Sequence, residues 1–292
     1  MAGETILSGF TTVAAYVAAN MSPYFRTNVV MMNLINTQNF REKTPGVPGS
    51  NALKFGKMGN VTVAVTAEAA SATKSTYTET NLSIAAQKAS AYVELTLESE
   101  LFGNDNSSLD QLASDAARAA ADKFDVDALA LADGFSASTG TTTVALTVNA
   151  LKDAPYKVRL NKVPGPLVYV LHPTNIRDIQ ASIITSGAAL WGNPTTQLDI
   201  LGGNPAKDNG RVGQIFGVDI YESTNTKSIN AAADWAGLCF SPRYAYAAGI
   251  LGRFITQIVP IPQTGLNGLS LHMFYQLAEW NDGAGCYIIG KQ

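Results

Sequence analysis

An α+β fold is what this sequence predicts, on three observations. Two stretches between Asn51 and Gly103 alternate apolar and polar residues with period two. One long helical pattern begins at Ser107, and the chain from Phe254 onward is apolar and rich in strand formers.

The alternating stretches carry the most information. Outbound, Val61, Val63 and Val65 alternate with Thr62, Ala64 and Thr66; on the return, Val93, Leu95 and Leu97 alternate with Tyr92, Glu94 and Thr96. Between them runs Ala67-Glu68-Ala69-Ala70-Ser71-Ala72-Thr73-Lys74-Ser75-Thr76, which offers no large anchor. The pattern reads as a two-stranded ribbon without the material for a core of its own. An isolated ribbon is marginal in water, so this one is expected to lie on another surface, in a chain built to assemble.

The other elements follow in order. Residues 1–50 read as an extended or partly helical arm, with a short helix over Thr11–Asn20 and a Pro- and Gly-rich break from Lys43 to Gly49. Ser107 is the expected N-cap of the long helix; Leu109, Leu112, Ala113, Ala116, Ala120 and Phe124 follow helical spacing, Leu129 extends it and Gly134 ends it. Such a rod is about 37 Å long. After Phe135–Thr143 and Val144–Leu151 a compact unit begins. Leu167–Leu171 reads as a short buried strand running into His172-Pro173, where Pro173 suits a first helical turn. Ile176, Ile179, Ile183 and Ile184 mark one face of the helix that follows, and Gly187 closes it. A long loop spans Trp191–Asn209. Strands are expected over Gly213–Tyr221, Gly237–Phe240, Phe254–Pro260, Leu269–Trp280 and Cys286–Ile289. There is no internal repeat.

Charge is scarce and segregated. Of 292 residues 15% are charged, against about 25% in ordinary soluble domains. Extensive burial between subunits would account for that. The net charge of −3 gives no global attraction to nucleic acid or membrane. Residues 1–60 hold five Lys or Arg against two acids, whereas residues 92–133 hold ten acids against Arg118 and Lys123. One reading is a solvated helix face. The sharper one is that the basic arm meets the acidic helix of a neighbouring subunit. It makes Arg26, Arg41, Lys43, Lys54 and Lys57, with Glu68 and Lys74 on the ribbon tip and Asp115 and Asp122 on the helix, the subunit-interface candidates.

Little in the sequence supports catalysis. Ser71-Ala72-Thr73-Lys74 fits a Ser-x-x-Lys pattern but falls on the ribbon tip, with no Lys-Thr-Gly partner. His172 lies at a strand-to-helix junction, where capping is the ordinary role, and His272 lies in an apolar strand. A hydrolase using either histidine with a serine is a third, weaker reading. Gly56-Lys57 and Gly202-Gly203 match no phosphate-binding pattern. Asp125 and Asp127 are two apart on a helix and cannot share a face. Cys239 and Cys286 lack metal-ligand spacing and read as buried reduced thiols. No secretory start and no apolar run long enough to span a membrane is present, so the glycosylation triplets at Asn60, Asn81 and Asn106 carry no weight. The expectation is a non-enzyme without cofactor or metal.

Taken in order, basic arm, ribbon, long acidic helix, compact unit and strand-rich return resemble the major capsid proteins of tailed bacteriophages with the Hong Kong 97 fold. Asn51–Asp133 looks like that family's extended loop and spine helix. Leu167–Ile184 is similar to its Leu-Val-x-x-x-x-Pro strand-to-helix element, Gly213–Ile220 to its Gly-x-x-Gly-x-x-Val strand, and Pro242–Gly249 with the closing strands also fits. The resemblance implies an N-terminal arm (1–50), an extended β-hairpin loop with its base strands (51–103), a peripheral domain with the spine helix (104–165), an axial domain (166–249) and return strands of the peripheral domain (250–292). It implies self-assembly as pentamers and hexamers into an icosahedral head holding double-stranded DNA without sequence specificity. Arm and loop would clasp adjacent subunits, in a virion capsid assembled in the host cytoplasm. Scaffolding, portal and decoration proteins would be separate partners. One branch of the family cross-links subunits through Lys–Asn bonds, for which Lys74 is the lysine candidate. An encapsulin-like nanocompartment shell is the alternative on the same fold.

Overall fold

The structure is a computed structural model, and it describes residues 29–40, 52–57, 65–66, 71, 80–96, 106–185, 211–251, 254–261 and 266–292. In chain order the elements are helix α1 (Met31–Leu34), strands β1 (Thr37–Asn39), β2 (Ala52–Lys57), β3 (Thr80–Ala85) and β4 (Gln87–Thr96), helix α2 (Asn106–Leu129) and strand β5 (Ser138–Gly140). Helix α3 (Val148–Leu160), strand β6 (Val168–Leu171) and helix α4 (Pro173–Thr185) follow. The chain ends in strands β7 (Arg211–Ile215), β8 (Val218–Glu222), β9 (Lys227–Ile229), β10 (Asp234–Phe240), β11 (Tyr246–Ile250), β12 (Ile255–Ile261), β13 (Leu266–Glu279) and β14 (Gly285–Lys291). The α+β class expected from the sequence is the one that forms.

Two sheets organise these elements. One runs β5-β14-β10-β6-β8-β7, with β9 also paired to β10. Its central strand β6 is buried along its whole length, because both sheet faces are covered. Val168 and Val170 point into a cluster with Phe124, Leu129 and Phe240, while Leu167, Tyr169 and Leu171 point into a second cluster with Leu151, Val158, Ile176 and Ile179 from α3 and α4. A strand covered on both faces reads as a continuous apolar run, which is what Leu167–Leu171 showed. The other sheet runs β1-β11-β13-β12, with β4 also on β13. Helix α2 buries Ala117, Ala121, Phe124 and Ala128 on one stripe at i, i+4, i+7 and i+11. Alanine on that stripe lets β13 come close, and the Phe124 and Tyr275 rings pack at 5.3 Å.

Several expectations change. The return strand β4 pairs antiparallel with β13 from Thr96↔Leu266 to Gln87↔Tyr275. Of the outbound stretch, residues 61–64 lie outside the described residues, and Val65 and Thr66 are not in a strand. The two-stranded ladder is instead β2 with β3, Ala52↔Ala85 to Lys57↔Thr80. Ser107 is inside α2, which starts at Asn106. Gly213–Tyr221 is a hairpin rather than one strand, turning at Phe216 and Gly217, both with positive φ. Helix α3 was not foreseen. Thr147 caps it, its Oγ1 accepting from Ala150 N at 3.4 Å, and Pro155 sits buried within it. Helix α4 starts at Pro173 as expected. The Thr11–Asn20 helix, Gly187 and the Trp191–Asn209 loop lie outside the described residues.

Candidate functional site

Two places bring the arm, the ribbon and the spine helix together. The first is at Asp125. Its position between Ala121 and Ala128 puts it on the buried face of α2, and it is 2% exposed. Both carboxylate oxygens are used by the arm: Val30 N donates to Oδ2 at 3.0 Å and Met31 N to Oδ1 at 2.9 Å. These are orphan donors at the start of α1, and a carboxylate satisfies them with charge-assisted bonds. Burial pushes the Asp125 carboxyl up to about 6, with Asp122 adding to the rise and the two backbone donors opposing it. Around this contact Val29, Met31, Leu34 and Ile35 are buried against the chain's own core, and β1 pairs in parallel with β11. The described part of the arm, which carries no Lys or Arg, therefore meets α2 of its own chain, while the basic residues expected to reach a neighbour lie outside the described residues. The acid-rich helix hid one residue with an inward task. Its apolar-face spacing was the signal.

Asp127 points elsewhere, as the two-residue offset required. It takes Lys123 Nζ at 2.6 Å and the Tyr275 hydroxyl of β13 at 2.5 Å. Asp133 accepts from Lys227 Nζ at 2.5 Å. Part of the acidic run is thus matched within the chain.

The second place is the ribbon base. Leu53 and Phe55 of β2 and Ile84 of β3 are buried with Phe40 and Ala247, and the Trp280 ring lies 5.9 Å from Phe55. Gly249, opposite Gln38 of β1, makes room: a Cβ there would lie 2.5 Å from the Phe40 ring and 2.8 Å from Leu53 Cδ1. The base of the ribbon finds a core in its own chain, against the expectation that the ribbon lacks one. Beyond it Val65, Thr66 and Ser71 are exposed.

Among the interface candidates, Lys54 and Asp115 are exposed, and Asp122 is exposed while accepting from Asn225 Nδ2 at 3.3 Å. Lys57 is the last residue of β2. Arg26, Arg41, Lys43, Glu68 and Lys74 lie outside the described residues.

His172 has structural partners, whereas the buried His272 Nδ1 has no hydrogen-bond partner among the described residues. His172 Nδ1 accepts from Thr174 N at 3.2 Å at the start of α4, and its ring stacks on Trp235 at 4.0 Å. Desolvation lowers its pKa. His272 is on β13, where desolvation and then Lys88 lower its pKa. His172 Nδ1 also lies 3.0 Å from the Thr174 hydroxyl, a capping contact in the first turn of α4. Among the described residues no group of three metal-ligating side chains exists, and no helix is long and apolar enough to cross a membrane.

Cys239 and Cys286 are both buried and unbonded, and stand directly opposite each other in the β10–β14 ladder. Burial raises both thiols, Cys286 to about 11. Since the thiolate is the reactive form, neither cysteine is expected to react with iodoacetamide at pH 8 in the native chain, and both in denaturant. Mass spectrometry reads the outcome; rapid native labelling would contradict this packing.

No protein-family model and no curated protein matches the sequence. Solved structures do match. The capsid of cyanophage P-SCSP1u does so with a TM-score of 0.63 at 14% identity, over 89% of this chain and 87% of its own. The capsid of Ralstonia phage GP4 matches with 0.62 at 11% identity, over 88% and 87%. The SrpI encapsulin complex from Synechococcus elongatus matches with 0.60 at 14% identity, over 88% and 91%. Across almost its whole length this chain has the fold of phage capsid proteins, the one its order of parts resembled.

Proposed function

We propose that the chain is a major capsid protein, a structural and not a catalytic subunit whose copies assemble as pentamers and hexamers into an icosahedral head around double-stranded DNA. The match to capsid structures over nearly all of both chains carries this reading. The proposed division keeps an arm (1–50), an extended loop (51–103), a peripheral domain carrying α2, and an axial unit over about 166–249 whose sheet is completed by β5 and β14. The arm before Val29 and the ribbon beyond its buried base are the parts assigned to neighbours, with Arg26, Arg41, Lys43, Lys54, Lys57, Glu68, Lys74, Asp115 and Asp122 as the charged contacts. DNA would be held by enclosure, which fits a net charge of −3. Scaffolding and portal proteins would be separate partners.

Expression of the chain alone, followed by sedimentation and electron microscopy, tests the reading. Closed particles of uniform size are expected, and a population of monomers at every concentration contradicts it. The encapsulin match keeps a cargo-filled nanocompartment as the second reading. Particles that copurify with one enzyme favour that, and particles that fill with DNA when portal and packaging proteins are supplied favour the phage head.

A further inference from the structure

We propose that two helix faces left open by the fold are the halves of one contact between copies: the outer face of α3 docks on the outer stripe of α2 of the adjacent copy. The proposal rests on the shell reading above and names surfaces that the fold alone does not.

On α3, Lys152, Tyr156, Arg159 and Leu160 stand at i, i+4, i+7 and i+8 and share a face. Tyr156 is 61% and Leu160 60% exposed, although both are large and apolar-bodied. Around them Lys152, Lys157, Arg159 and Lys162 outnumber Asp153, a local +3 over residues 148–162. Lys157 is held by Ser138 O at 2.5 Å; Lys152 and Arg159 flank the two exposed side chains. On α2, Asp115, Ala119, Asp122 and Val126 stand at i, i+4, i+7 and i+11, all exposed, with Val126 at 43%. Of the aspartates of α2, Asp115 and Asp122 lie on this stripe with Arg118 beside it, while Asp125 faces inward and Asp127 is paired with Lys123. The α3 face has Tyr156 and Leu160 between basic residues, whereas on the α2 stripe Ala119 and Val126 alternate with the acidic Asp115 and Asp122, so the charges that the two faces present are opposite in sign.

That is the anatomy of an interface, in which a desolvated aromatic or aliphatic anchor carries the energy and rim charges set orientation and partner. Among the described residues α3 packs chiefly on β5, β10, β14 and α4, while α2 packs chiefly on α1 and β13 and takes Asn225 at Asp122. A second copy is therefore the occupant that this complementarity selects. The two faces differ, so the contact is head-to-tail, the kind that generates rings when its rotation closes. A capsomer is such a ring. Packaged DNA is the competing occupant of the basic face, but Leu160 and the body of Tyr156 at its centre favour protein.

The test compares the wild-type chain with Lys152→Glu/Arg159→Glu, with Asp115→Lys/Asp122→Lys, with the chain carrying all four changes, and with Tyr156→Ala. Assembly is followed by sedimentation and electron microscopy, and folding by the melting of unassembled chains. Each double reversal should raise the concentration needed for half-assembly by roughly tenfold or more. The four-fold variant should recover most of that loss, and Tyr156→Ala should weaken assembly at every salt concentration. Lys152→Gln/Arg159→Gln, which keeps side-chain size, should repeat the loss in weaker form even where a reversal disturbs folding. Reversed chains that assemble like the wild type overturn the proposal. So does a four-fold variant that melts normally yet assembles no better than its parents, and so do intact shells that only lose retained DNA. Failure of the wild-type chain to form particles strikes the shell reading itself, and is thereby distinguished from failure of this contact.

Discussion

Replacing Asp125 with alanine is expected to lower stability at pH 7 by about 2 kcal/mol, and Tm by about 4–8 °C. The substitution strands the Val30 and Met31 N–H groups, which have the Asp125 oxygens as acceptors at 3.0 and 2.9 Å. A buried carboxylate is itself costly, but two buried donors without an acceptor cost more. The arm should loosen first, so amide exchange should quicken over Val29–Phe40 before it changes in β6 or β10. The same residue sets a pH dependence. With its folded-state value raised from 3.8 to about 6, the folded chain binds more protons than the unfolded chain across that window. This group's contribution is therefore full below about pH 4 and is lost as pH rises to about 6, a span on the order of 3 kcal/mol. Asp125→Asn should flatten the slope, and it keeps one acceptor for the arm. Melting curves from pH 4 to 7 that run parallel for wild type and Asp125→Asn would contradict this.

The second large effect is expected at Gly249. Gly249→Val places carbons where the Phe40 ring and Leu53 now stand. Overpacking of this kind costs about 1–3 kcal/mol. Its consequence is specific because Phe40 ends the described arm and Leu53 anchors the ribbon base. Both should be released together. Limited trypsin digestion should then cut at Arg41, Lys43, Lys54 and Lys57 several times faster, while the seven-stranded sheet stays protected. Unchanged digestion would mean that the glycine only permits a close approach and does not control it. A shell built from this variant should assemble poorly, since two elements assigned to neighbours start from this cluster.

How far the sequence carried the fold differs from element to element, for identifiable reasons. Helix α2, strand β6 and the Pro173 start of α4 were legible because each depends on local spacing. The partner of β4 was not. Alternation tells which side of a strand is buried and is silent about which strand lies beside it, and β13 is far away in sequence. Helix α3 carried the right spacing, with Leu151, Ala154 and Val158 buried, but Pro155 and the polar residues around it masked the pattern. Pro155 forgoes one helix hydrogen bond and still packs in the core, a case of tertiary contacts overriding propensity. The Phe216-Gly217 turn was missed because a phenylalanine with positive φ is not a turn signal, and only its glycine was.

The candidate site was less legible than the fold. Charge counting picked out the acidic helix and the basic arm, yet the contact that the structure shows between them runs through backbone N–H groups of Val30 and Met31 and one buried aspartate. Sequence displays side-chain charge and hides backbone donors. Lys123, Lys227 and Asn225 also turn out to serve Asp127, Asp133 and Asp122 within the chain. Among the described residues of the acidic helix, Asp115 and Asp122 remain exposed, the latter while accepting from Asn225.

A three-dimensional reconstruction of particles formed by the purified chain tests the central claim most directly. The account predicts a closed shell of pentamers and hexamers, with the base of each ribbon held by Phe40, Leu53 and Trp280 of its own chain and residues 58–79 lying on an adjacent subunit. A lone chain that folds residues 58–79 back onto its own sheets, and forms no shell at any concentration, would contradict it.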